Sequence, residues 1–173
     1  MPKPVDVKTP SDREVVVTRA FDAPRQLVWD AHTQPELLKR WLLGPDGWSM
    51  PYCTVDLRVG GKYRYVWKND ESGAEFGSFG VHDEIVPLEK IVTTERMDGL
   101  DGQPLNYENP VESGDPAINT LTLAESGGRT TLTIAMVFPS KEVRDMAVQS
   151  GMTDGMAQGY DRLDDVLEAK KVG

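Results

Sequence analysis

Apolar and polar residues alternate with a period of two on both sides of Gly60–Gly61. Before the glycines, Cys53, Val55 and Leu57 share one phase, and Tyr52, Thr54, Asp56 and Arg58 share the other. After them, Tyr63, Tyr65 and Trp67 stand in one phase against Lys62, Arg64 and Lys68. The pattern predicts two half-buried strands joined by a tight reversal. The aromatic ladder of the second strand is either core or the wall of a pocket.

The same reading extends along the chain. Glu14–Phe21 is β-branched and predicts a first strand. Asp22 and Pro24 mark a helix start, with Asp22 as N-cap of a short helix over 25–31. Thr33 and Glu36 have capping-box spacing and predict a second short helix carrying Leu37, Leu38, Trp41 and Leu42. Strands are predicted over 75–86 and 90–97, with Phe79, Val81 and Ile85 on the apolar face of the first. A hairpin around Ser126–Gly128 joins strands 117–125 and 129–138. Its inward residues are Leu121, Leu123, Leu132, Ile134 and Met136. Ser140 is the expected N-cap of a last helix running to about Ala169. Met152, Met156, Tyr160, Leu163 and Leu167 form one stripe along it. Gly151, Gly155 and Gly159 share that helix, and three readings stand open: close packing, space for a ligand, or a break near Gly151.

Short connections between successive strands favour an antiparallel meander. Only the last helix is long enough to cover the apolar face of such a sheet. The expected fold is therefore α+β: a curved antiparallel sheet of about six to seven strands wrapped around a long C-terminal helix, with two short helices after the first strand. A sheet curved around one helix leaves an elongated cavity, a favoured place for ligands. Residues 1–13 read as a disordered lead-in, and 14–170 as a single domain.

Composition narrows the partners. A net charge of −9 argues against nucleic acid and against acidic membrane surfaces. No apolar run is long enough to span a membrane, and the first residues lack a signal pattern, so a cytoplasmic location is expected. Cys53 is the only cysteine, which rules out intrachain disulfides and points to a small hydrophobe on a buried strand.

Several motifs together resemble the activator-of-Hsp90-ATPase-like domain of the START/Bet v 1-like superfamily. They are Thr18–Phe21 with Asp22–Pro24, Val28–Trp29, Pro35–Glu36 with Trp41, and Cys53, Asp56, Leu57, Arg58 and Gly60–Gly61. Gly80–Val81 with Glu84–Pro87, Ser150–Met152, and Tyr160 with Leu163 complete the set. The resemblance spans about Glu14 to Ala169 and implies a helix-grip fold. Superfamily members bind sterols, lipids, hormones and polyketide-like molecules, and a minority catalyse cyclisation or ring chemistry. The resemblance thus implies a small, largely hydrophobic ligand. An Hsp90-type co-chaperone or protein-interaction module is the alternative, and a cyclase- or hydrolase-like enzyme is the second.

The candidate ligand-binding residues are Trp41, Tyr63, Tyr65, Trp67, Phe79, Val81, Leu121, Leu123, Ile134, Met136, Met152, Met156 and Tyr160. Methionine adapts to irregular apolar shapes, and tyrosine adds a hydroxyl for an oriented ligand. Ordinary core packing explains the same residues. The connection 98–116 is rich in Gly, Pro, Asn and Asp and carries no Lys or Arg. It is expected to be mobile near the cavity mouth, with Tyr107 as its contact to a ligand.

No residue is predicted as firmly catalytic. Glu95 shares phase with Ile91, Thr93 and Met97, so an inward face would make it a weak candidate for a general acid or base, the alternative being an ion pair with Arg58, Arg64 or Arg96. His32 follows a helix, and His82 falls out of phase with Phe79 and Val81, which places it away from the pocket. Adjacent strand residues point to opposite faces, so His82, Asp83 and Glu84 do not converge on a metal. No cofactor fingerprint is present. The reading favours a binding protein over an enzyme.

Overall fold

The computed structural model describes residues 4–172. Eight strands and four helices follow in chain order. They are β1 (Asp6–Lys8), β2 (Glu14–Phe21), α1 (Arg25–Thr33), α2 (Pro35–Trp41), β3 (Trp48–Val55), β4 (Lys62–Asn69), β5 (Glu75–Val86), β6 (Lys90–Asp98), β7 (Ala117–Ser126), β8 (Arg129–Val137), α3 (Lys141–Gln149) and α4 (Met152–Val172). The strands form one antiparallel sheet in the order β1-β2-β8-β7-β6-β5-β4-β3. The architecture is the expected α+β arrangement of a long sheet with a long C-terminal helix.

The strand count exceeds the expectation because Asp6–Lys8 pairs with Val16–Thr18. That stretch lies inside the lead-in expected to be disordered. Backbone pairing to the free edge of β2 orders it, although its three side chains stay exposed. Residues 1–3 of the lead-in lie outside the described residues.

Helix starts differ locally from the sequence expectation. The N-cap residues, Pro24 and Gln34, make no side-chain capping bond, and the first N–H of α1, that of Arg25, is taken by the Glu125 carboxylate. Asp22 instead pairs with Arg129 at 2.7 Å, and the Thr33 hydroxyl donates to the Trp29 carbonyl at 2.9 Å. Pro35 opens α2 because its missing N–H would be an orphan there in any case. Ser140 does cap α3, accepting from the Val143 amide at 3.2 Å. The last helix is broken: Gly151 has φ of 85°, a left-handed value that an L side chain resists, and it separates α3 from α4.

The core gathers on one face of the sheet. Val15, Val17 and Phe21 of β2, Leu132 and Met136 of β8, Leu123 of β7, and Leu163, Val166 and Leu167 of α4 belong to one buried cluster. Trp41 joins α2 to it, with its indole N–H donating to the Ala31 carbonyl at 2.9 Å and its ring stacked on Tyr160 at 5.7 Å. Gly159 lets α4 approach α2, since a Cβ there would stand 3.2 Å from the Trp41 carbonyl oxygen. No helix of the described residues is long and apolar enough to cross a membrane.

Candidate functional site

Strand register decides which side chains face the helices. Val15 and Val17 pair across from Met136 and Ile134, and Leu121 pairs with Ile134 and Ile91. Directly opposed residues share a face. Following that parity across the sheet gives one inner face. It carries Cys53 and Val55 on β3, Tyr63, Tyr65 and Trp67 on β4, and Phe76, Ser78, Gly80 and His82 on β5. It continues through Ile91, Thr93, Glu95 and Met97 on β6, and Ala117, Asn119, Leu121 and Leu123 on β7.

The predicted ligand-binding residues divide on this basis. Tyr63, Tyr65, Trp67, Leu121, Leu123, Ile134 and Met136 do line the inner face. Tyr65, Trp67, Leu121, Ile134, Met152 and Met156 are only half-buried. Trp41, Leu123, Met136 and Tyr160 are buried in the packed cluster, and Tyr63 is buried outside it. Phe79 and Val81 are a correction. They pair with Arg64 and Lys62, so they stand on the opposite, outer face. The expectation failed because β5 is buried on both faces over part of its length, so apolar content does not mark the inner phase.

His82 is the matching correction. It lies on the inner face, with its ring 5.9 Å from that of Tyr63. Its Nδ1 donates to the Gly61 carbonyl at 3.0 Å, so the glycine pair of the β3–β4 reversal sets the tautomer. The shift in register between His82 and Glu84 then turns Ile85 to the inner face, opposite Ile91.

Around Gly80 the inner face becomes polar. The Ser78 hydroxyl donates to the Glu95 carboxylate at 2.9 Å. The Tyr63 hydroxyl donates to the Thr94 carbonyl at 3.0 Å. Burial pushes the Tyr63 phenol well above its usual range, and the Glu95 charge pushes it further. Burial likewise raises the Tyr65 phenol, with smaller contributions from Cys53 and Glu95. Thr93 and Asn119 face each other across β6 and β7. The Asn119 Oδ1 is buried without a hydrogen-bond partner. Glu95 thus sits on the face that the sequence phase allowed. Ser78 and Asn119 escaped the sequence reading, because β5 and β7 carry polar residues in both phases and only register shows that these two face inward.

The connection 98–116 lies elsewhere than expected. It crosses the outer face, where Arg64 donates to the carbonyls of Asn106 and Tyr107 at 2.9 and 3.0 Å. The Tyr107 hydroxyl donates to Glu75, and its ring lies 5.5 Å from that of Tyr52. Tyr107 therefore contacts β3 and β5 rather than a ligand site between sheet and helix. A loop so poor in apolar residues is held down by a buried guanidinium and by backbone acceptors.

Cys53 faces inward beside Tyr65, and burial pushes its thiol up to about 11. His32 meets the Trp41 ring edge-on, with centroids 4.8 Å apart, and donates from Nδ1 to the Val28 carbonyl at 2.7 Å. Among the described residues no group of three or more His, Cys, Asp or Glu is placed to hold a metal ion. Two open surface depressions are present, one beside Asp22, Asp164, Leu167 and Glu168, the other around the β3–β4 reversal from Thr54 to Lys62, where Val55 brings it to the edge of the inner face.

Comparison with known proteins places this arrangement among solved folds. A protein from Rhodobacter sphaeroides superposes with a TM-score of 0.80 at 27% identity, covering 96% of this chain and 99% of its own. One from Nitrosomonas europaea gives 0.78 at 25% identity, covering 95% and 100%. One from Arthrobacter aurescens gives 0.79 at 25% identity, covering 98% and 93%. No curated protein matches the sequence. Residues 22–168 match the family model described as activator of Hsp90 ATPase homolog 1-like protein, and the chain belongs to that family.

Proposed function

We infer that this protein binds a small, largely hydrophobic molecule between the inner face of the sheet and the first half of α4. The observation that carries the reading is the incomplete burial of Tyr65, Leu121, Ile134, Met152 and Met156. All but the two methionines stand on the inner face of the sheet, and the methionines stand on the helix that covers it. In a filled core such residues would be sealed. The closed end, by contrast, is packed solid by Phe21, Leu132, Leu163 and Leu167. Ligand affinity in such a space comes mainly from apolar burial, at roughly 25 cal/mol per Å². The family's relation to lipid- and polyketide-binding domains is consistent with this use of the space.

Native mass spectrometry of the purified protein and thermal shifts against a lipid and polyketide panel test the reading. Retained small molecules, or a rise in Tm with an apolar compound, support it. An interior that takes up no member of the panel overturns it. Two substitutions locate the site: Ile134→Trp and Met156→Trp fill the space and are expected to abolish binding while the fold persists.

A further inference from the structure

We propose that the site selects apolar molecules bearing a neutral or cationic hydrogen-bond donor and rejects anionic ones such as fatty acids. This rests on the binding reading above and adds the chemistry of the head group. The carrying observation is the contiguous polar patch of Ser78, His82, Thr93, Glu95 and Asn119 on the inner face.

Three charged residues stand at inward positions of the strands among the described residues. Arg19 is committed to Asp164 through two hydrogen bonds, at 2.7 Å each. Glu125 sits at the end of β7, accepting from the backbone N–H of Arg25. Glu95 alone lies mid-sheet, and no cation shares its patch. Its Oε2 accepts from Ser78, and its Oε1 makes no hydrogen bond among the described residues. An anionic head group placed here meets a carboxylate and no countercharge.

The neighbours reinforce the preference. Ser78 and Tyr63 have already spent their protons on Glu95 and on the Thr94 carbonyl. His82 has spent its Nδ1 proton on Gly61, which leaves Nε2 of that tautomer as an acceptor. Asn119 Oδ1 is a buried acceptor with no partner. A buried acceptor left unmatched is costly, and a ligand donor would relieve it. The Tyr65 hydroxyl and the amide nitrogen of Asn119 can donate, while the Thr93 hydroxyl is engaged with Tyr63, and none of them supplies a positive charge. Such a patch fits a phenol, an alcohol or a protonated amine on an apolar body.

Four probes with one naphthalene body test this by calorimetry and thermal shift: 2-naphthol, 2-naphthylmethylamine, 2-methoxynaphthalene and 2-naphthoate. Naphthol and naphthylmethylamine are expected to bind at least about tenfold more tightly than naphthoate, and naphthol more tightly than its methyl ether. Glu95→Gln keeps the shape and removes the charge. It is expected to erase the preference for the amine over naphthoate, with a circular dichroism spectrum unchanged from wild type. Asn119→Leu is expected to weaken naphthol and spare methoxynaphthalene. Equal binding of all four probes, or tightest binding of naphthoate, overturns the donor preference while leaving the apolar site intact. An unchanged rank order in a folded Glu95→Gln protein also overturns it. Binding of none of the four, with none from the lipid and polyketide panel, overturns both readings.

Discussion

Buried Arg19 meets the half-buried Asp164, with both terminal guanidinium nitrogens 2.7 Å from the two carboxylate oxygens. The Arg19 side chain is fully buried, and its guanidinium carbon lies 4.7 Å from the Phe21 ring centroid. This pair ties the inner face of β2 to the second half of α4. The first half of α4 begins at the Gly151 break and carries the half-buried Met152 and Met156. One end of the helix is therefore anchored to the sheet, and the other overhangs the proposed ligand space.

Asp164→Asn is expected to lower stability by about 2–4 kcal/mol, because it strips most of the neutralising charge from a desolvated guanidinium. Asp161, 3.2 Å away, supplies partial compensation. Arg19→Met removes the buried charge altogether and is expected to cost less than Asp164→Asn. Urea denaturation of both variants checks the order. A fully stable Asp164→Asn protein would refute the anchoring role.

On the outer face, Arg64 grips Asp98 at 2.7 and 2.9 Å while also donating to the loop carbonyls of Asn106 and Tyr107. Asp98→Ala is expected to destabilise the fold by about 2–3 kcal/mol and to free the connection that follows it. Hydrogen exchange over 100–110 should accelerate more than exchange over β7 and β8. Uniform acceleration would mean that the pair supports the whole sheet rather than the loop.

Much of this architecture was legible before the structure. The period-two runs located seven strands, and the β-branched start and the Ser126–Gly128 reversal needed no tertiary information. Face assignment was harder. Where a strand has one wet side, as in β7, phase gave the inward residues correctly. Where both sides are covered, as around Phe79 and Arg64, phase carries no sign. Arg64 looked solvent-facing because its cover comes from Asp98 at the end of β6, 34 residues away in sequence, and from the loop that follows it. That error moved Phe79, Val81 and His82 to the wrong faces together. Asn119 was missed for a different reason: β7 carries polar residues in both phases, and only register shows that Asn119 faces inward.

Gly80 makes a sharper test of the inner face. A Cβ there would collide with the Thr94 carbonyl oxygen and stand 3.0 Å from Cε1 of the Tyr63 ring. The backbone contact cannot be relieved by rotating a side chain, so β5 and β6 must shift. Gly80→Ala is expected to cost about 3 kcal/mol or more and to loosen the packing of Tyr63. Thermal unfolding with near-ultraviolet circular dichroism of the tyrosines measures both. A neutral substitution would mean that the strands separate easily at this point.

His32 predicts the acid limit of the fold. Burial pushes its imidazole down to about 4 from an ordinary 6.5, against a smaller upward effect of the bond to Val28. The unfolded chain takes up this proton as pH falls through 6.5, whereas the folded chain refuses it until about 4. The stability contribution is therefore complete above the unfolded value and is lost as pH falls toward the folded one. Its size is on the order of 2–3 kcal/mol. Carboxylates titrate in the same window, so the comparison must be with a variant. His32→Asn keeps a donor toward the Val28 carbonyl and removes the titration. Between pH 7 and pH ~4.5 the wild type should lose more stability in urea than this variant, by about 2 kcal/mol. Parallel pH profiles would show that the ring takes up its proton in the folded state without penalty, and the packing against Trp41 would then need another account.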